Sequence, residues 1–201
     1  MAQVYAISGV TPVIDPSAFV HPTAVLIGDA VVGPGCYVGP GAVLRGDFGR
    51  IELGRGSNVQ DNCVLHSYPS GDCVVEEDGH VGHGAILHGC RVGYNALVGM
   101  HAVIMDHAVL GAESIVAAMT FVRAEFAVPP RTLVAGIPAK VLRELDQRDI
   151  DWKSQGTREY QELAVRSLAT LVPAAALTAV EADRPQVYAG HYEPLHVARN
   201  R

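Results

Sequence analysis

The sequence predicts an all-β chain wound as a parallel β-helix of hexapeptide repeats, on three observations. Branched aliphatic residues recur every six positions, a small residue follows four places after each, and turn-forming Gly and Pro lie between them. From Ile14 the aliphatic series runs Val20, Leu26, Val32, Val38 and Leu44, with Ala18, Ala24, Ala30, Cys36 and Ala42 as its small partners; Phe48 breaks the small set. The beat shifts phase to Leu53, Val59 and Leu65, then to Val75, Val81 and Leu87. It slips by one residue and continues through Val92, Val98, Ile104, Leu110, Val116 and Val122.

Neither a 3.6-residue helix nor a simple alternating strand accounts for a six-residue beat with GPG at 33–35 and 39–41. A solenoid does. Each hexad supplies one short strand and one corner, three hexads close a triangular coil, and coils stack at the ~4.8 Å strand spacing. The aliphatic residue points inward and the small one fits the corner. After Val122 the beat is expected to fail, so the solenoid is assigned to residues 1–140. From Val141 to about Leu171 apolar residues fall at helical intervals, with Gly156 as a break, which predicts two helices packed on the solenoid over 141–172. The Pro- and charge-bearing stretch 173–201 has no period and is expected to be a flexible or loosely docked tail.

The chain has 201 residues, a net charge of −6, and 49% hydrophobic but only 6% aromatic residues. That length suits one main domain with a core of small aliphatic side chains. No run of Lys or Arg is interleaved with aromatics, so no nucleic-acid partner is expected. No signal-peptide order and no apolar stretch near ~20 residues is present, so no membrane span and a cytoplasmic location are expected. Cys36, Cys63, Cys73 and Cys90 lack CxxC spacing and are read as reduced thiols.

Nine histidines are present. His21, His101 and His107 occupy corner slots, His191 and His196 lie in the tail, and His80 directly precedes an inward valine; all six are read as structural. His66, His83 and His88 differ. If 67–73 (SYPSGDC) loops out, His66 and His88 each follow the inward residue of the same face, one coil apart, and point outward together. Imidazoles so placed can converge on one ion at the ~2.0–2.1 Å of Zn–N bonds. His83 lies five residues before His88, about 16 Å of extended path with a corner between. It is therefore not expected to join them within one subunit but could do so from a neighbouring one, which suits a three-fold assembly. Surface histidines on a polar face are the alternative.

LRGDFGRIELGRGSNVQDNCVLH (44–66) with GHVGHGAILHGC (79–90) resembles the γ-class carbonic anhydrases and their relatives, and within that group the members of phenylacetic acid degradation. VHPTAVLIGD, NALVGM, and IPAKVLREL followed by WKSQGTREYQ extend the likeness over about 4–165. The resemblance implies a left-handed parallel β-helix and a homotrimer with Zn2+, or Fe2+ in some members, at subunit interfaces. It places His66 and His88 as ligands from one subunit and His83 as the ligand from the next. Arg45 and Asp47 match the pair that ties neighbouring subunits together, Gln60 the residue that orients water at the ion, and Tyr160 a tyrosine that approaches from the C-terminal helix. Three neutral imidazoles leave a zinc coordination position open, as in catalytic sites. Hydrolysis of acyl-CoA thioesters is the leading reading from this likeness, with CO2 hydration and hexapeptide acyl transfer as alternatives. SYPSGDC is too short and too poor in acid to hold a proton-shuttling glutamate, which weighs against CO2 hydration.

Overall fold

The inward aliphatic residues stack as the hexad reading requires. The computed structural model describes residues 2–187 with Glu193 and Val197. Short parallel strands alternate with two-residue turns, and a coil closes after eighteen residues, so that Leu97, Ile115 and Leu133 are neighbours in one sheet. The third face is an eight-stranded sheet. The other two form one twelve-stranded sheet, because Val25–Val32 and Val43–Leu53 run round the corner between them.

From Leu26 to Val122 the inward residues of the beat are sealed from solvent, at no more than 2% exposure. Burial of each contributes roughly 1.5–3 kcal/mol relative to exposure. The beat does not end at Val122, as expected from sequence. It continues through Val128 and Val134, both in the core. Phe126 in the small place and the Pro129-Pro130 pair hide these two hexads, yet Phe126 packs half-buried against the core.

Corners impose a second six-residue beat. Asn95, His101, His107, Glu113, Met119, Glu125 and Arg131 all hold positive φ, near 51–61°. The strain of a non-glycine residue there is offset where its amide bonds the preceding coil, as His101 N–H to the His83 carbonyl at 2.9 Å and His107 N–H to that of Gly89 at 2.8 Å. This confirms a corner role for His101 and His107.

The C-terminal region departs from expectation. Val141 and Leu142 do not begin a helix: Lys140–Glu144 is an antiparallel strand on Thr132–Ala135, where Leu142 is 60% exposed. One helix, Gln147–Thr170, then runs unbroken through Gly156. Asp146 and Asp149 form a reciprocal cap at its start, and Arg143 clamps the fully buried Asp149 carboxylate with bonds of 2.6 and 3.0 Å. A mid-helix glycine costs about 1 kcal/mol. Here it is tolerated because Gly156 is buried. Packing, which a periodicity argument omits, decides for one helix over two.

Along the third face the helix runs back against the direction of coiling. Ile150 packs with Ile115 near one end, and Ala164 with Phe19 and Tyr37 near the other. Fourteen helical residues advance about 21 Å, close to the ~24 Å of the five strand steps from Ile115 to Phe19. Lys153 pins the centre. It is 2% exposed, and its ammonium donates to the Asp78 carbonyl and to Asn95 Oδ1, at 2.5 and 2.6 Å. Residues 173–187 carry no helix or strand and are exposed; of the rest of the expected tail only Glu193 and Val197 are described, and His191 and His196 lie outside the described residues. Among those described, no helix is long and apolar enough to cross a membrane, and all four cysteines are free and buried.

Candidate metal centre

The solenoid places the three candidate histidines at two different corners. His66 and His88 end the paired strands Val64–His66 and Ile86–His88 and are register partners on face one. The turn after His66 spans 67–72, since Cys73 already begins a strand, whereas after His88 the next strand begins at Arg91. His66 Nδ1 stands 3.2 Å from His88 Nε2. The outer nitrogen of each ring meets a carboxylate: His66 Nε2 lies 3.0 Å from Asp47 Oδ1 and His88 Nδ1 lies 2.5 Å from Asp106 Oδ1. Two neutral rings that donate outward to Asp47 and Asp106 turn their inner lone pairs toward each other.

That geometry fits a cation. Two nitrogens bound to tetrahedral zinc at ~2.0–2.1 Å stand about 3.3 Å apart. Carboxylates behind ligating imidazoles fix the tautomer and raise ligand basicity. Arg45 extends an Nη to 3.3 Å from His66 Nδ1 and places Nε 3.6 Å from Asp47. The Arg45–Asp47 pair, expected between subunits, is thus also within reach inside one chain.

Two glycines make this close packing possible. A Cβ on Gly46, between Arg45 and Asp47, would sit 2.4 Å from the Asp29 carbonyl oxygen. At Gly89, where φ is +52°, it would sit 2.7 Å from Asp106 Oδ1 and 2.6 Å from the Tyr68 ring, so only glycine lets Asp106 reach His88.

His83 follows the third-face strand His80–Val81, at the corner before face one. Its Nδ1 lies 2.9 Å from Asp61 Oδ2 and its Nε2 3.5 Å from the Tyr160 hydroxyl, too long for a strong bond. It is the third imidazole with an aspartate behind it. Among the described residues of one chain, no group of three or more His, Cys, Asp or Glu side chains is placed to hold an ion. The strand Ile86–His88 joins the corner of His83 to that of His66 and His88 across face one.

Gln60 and Tyr160 fall with His83, not with His66 and His88. Gln60 is buried, with Nε2 2.7 Å from His80 Nε2 and 3.1 Å from Asn58 Oδ1. Tyr160 wedges between Tyr37 and His80, at ring distances of 5.4 and 5.3 Å, and burial raises its hydroxyl pKa. His80, read from sequence as structural, is central to this cluster. Burial, with Lys153 and His83 adding repulsion, lowers it to about 3, so it stays a neutral imidazole near neutral pH.

Sequence reasoning missed Asp61 and Asp106. Asp106 follows His88 by eighteen residues, one full coil, which is the signal that could have found it. A cavity of about 860 Å3 opens beside His83, between the helix and the third face, with Gln60, His83 and Tyr160 on its wall.

Residues 11–46 match the model of the bacterial transferase hexapeptide (six repeats) family. The carnitine operon protein CaiE of Citrobacter koseri is 55% identical over 183 residues, covering 91% of this chain and 93% of its own. The chain belongs to the hexapeptide-repeat family. CaiE of Salmonella newport is 56% identical over the same share of this chain and 92% of its own. Among solved structures, a hexapeptide transferase family protein from Anaplasma phagocytophilum superposes with TM-score 0.79 at 37% identity, over 82% of this chain and 97% of its own. A Bacillus cereus protein provisionally assigned to the acetyltransferases gives 0.82 at 34%, over 84% and 98%.

Proposed function

We propose that the chain is a metal-dependent hydrolase of acyl-CoA thioesters. Its ion lies between subunits of a homotrimer, held by His66 and His88 of one chain and His83 of the next. The observation that carries this reading is the aspartate behind each of the three imidazoles, Asp47, Asp106 and Asp61. The assembly is supported by face one. Its outward ladder of Val43, Val64, Ile86, Val103 and Phe121 is apolar, with Val64 38% and Ile86 44% exposed in the single chain. That ladder lies between the two half-sites, so covering it with a second copy brings the corners of two chains together.

Bound zinc or iron supplies a Lewis acid that polarises a carbonyl and activates water at neutral pH. The chain's own residues do the rest. Asp47, Asp106 and Asp61 hold the imidazole tautomers, Arg45 positions Asp47, and Gln60, His80 and Tyr160 form a polar, water-restricting wall beside His83. The large cavity there favours an acyl thioester over CO2, which needs no such space. The CaiE relatives favour an acyl group of carnitine metabolism over phenylacetate.

Metal analysis of the purified protein, with thiol release from acetyl-, octanoyl-, phenylacetyl- and carnitinyl-CoA before and after chelation, tests the reading. Bound zinc or iron and chelator-sensitive release are expected. Absence of metal with chelator-insensitive acyl transfer to an amine would instead support an acetyltransferase of the kind assigned to the Bacillus cereus neighbour. Asp106→Asn is expected to weaken metal affinity about 10–100-fold while the fold persists. Competition with a zinc-responsive dye reads this directly, and unchanged affinity would remove Asp106 from the site.

A further inference from the structure

From His83 the cavity extends along the third face, and its lining residues trace a channel-like path. It passes outside three successive strands of the third face beyond His80–Val81, from Leu97 through Ile115 to Leu133, two strand steps or about 10 Å. At one end stand Gln60, His83 and Tyr160; at the other, Trp152 of the helix closes over Leu133. Between them the floor is aliphatic, and the corner beside it is built from the small Ala117 and Ala118. Glu159, Glu162 and Arg166 line its helix side; Glu162 and Arg166 are exposed, and the half-buried Glu159 carboxylate accepts from Gln155 Nε2 at 3.0 Å. Gly156 lies on the same helix stripe as Trp152 and Tyr160, at i, i+4 and i+8, so that stripe carries no side chain between the two rings.

We propose that this channel binds the acyl group of the substrate, an uncharged chain of medium length, with its carbonyl at the His83 end and Trp152 as its far stop. The proposal rests on the thioester reading for the position of the carbonyl. A polar end continuous with an apolar tube suits a ligand with one polar and one aliphatic end, and the volume lies within the ~300–1,000 Å3 of ligand sites. Ala117 and Ala118 set its width, because any larger side chain at that corner projects over the floor.

S-Octyl-CoA and S-ethyl-CoA, thioethers that cannot be hydrolysed, are titrated calorimetrically into the metal-loaded protein. The octyl compound is expected to bind at least about 10-fold more tightly, since added methylenes each contribute ~0.8 kcal/mol when buried. Ala117→Phe is expected to abolish that preference and leave S-ethyl-CoA binding unchanged. Ala118→Trp, at an exposed position that tolerates bulk, repeats the test should Ala117→Phe melt early. Equal affinity for both thioethers, a preference that survives both substitutions, or tighter binding of a thioether ending in trimethylammonium would overturn the proposal. A protein that cleaves no thioester yet keeps the octyl preference loses the hydrolase reading and retains the channel. One that cleaves acetyl- and octanoyl-CoA alike and shows no preference does the reverse.

Discussion

His83→Ala and His66→Ala proteins, each reduced roughly 100-fold or more, are expected to regain about a quarter of wild-type activity when unfolded together in equal amounts and reassembled. Loss of a ligand exceeds the 10–100-fold effect of an outer carboxylate. Recovery follows from the division of the site. A working interface needs an intact His66–His88 pair on one chain and an intact His83 on the next, and random mixing supplies each with a chance of one half, hence about one quarter of interfaces. A mixture of His66→Ala with His88→Ala is the control. Both substitutions damage the same half-site, so no interface is repaired and activity stays at the level of the parents. Recovery in the control, or none in the first mixture once mixed trimers are demonstrated by mass spectrometry, would show that the three histidines do not form a shared centre.

Lys153 sets the second large effect, on stability. Burial lowers its ammonium from the usual range to about 7, against the opposing pull of Asp78 and Glu113. Between pH 7 and the unfolded value near 10.5, the unfolded chain therefore holds a proton that the folded chain lacks. Stability from this residue rises with pH across that window and is lost as pH falls toward 7, at about 1.4 kcal/mol per pH unit. Above roughly pH 8.5 the buried thiols act in the opposite sense. Burial raises Cys36 and takes Cys63 to about 11, so the unfolded chain sheds those protons first. The clean interval is pH 7 to 8.5. Urea unfolding across it is expected to give a slope lower in Lys153→Met than in the wild type by about 1.4 kcal/mol per pH unit. Equal slopes would mean that Lys153 stays charged when folded, fully compensated by the Asp78 carbonyl and Asn95.

Both predictions depend on features of very different legibility. The stacking of His66 on His88 could be read directly, because hexad register is a matter of counting and only the short turn 67–72 interrupts it. The hexads at Val128 and Val134 could not be seen past Phe126 and Pro129-Pro130, since a composition rule for the small place ignores that one coil can accommodate an aromatic at its open side. Gly156 was misleading for the same kind of reason: its local preference is against a helix, and the solenoid surface outweighs it. His80 gave no signal at all. Its importance comes from Gln60, Tyr160 and Lys153, and the last two reach it only because the helix folds back across sequence separations of 80 and 73 residues.

The amino-acid sequence by itself determined the solenoid, the face on which each hexad lies, and the pairing of His66 with His88, because these follow from a local period that needs no knowledge of distant contacts. Only the tertiary structure decided that Asp47, Asp61 and Asp106 stand behind the three imidazoles, that Gln60 and Tyr160 belong with His83, and that the helix roofs a channel beside it. Those relations join corners on different coils and a helix to a sheet. Their energies come from burial and close packing between segments far apart in the chain, which no local pattern records.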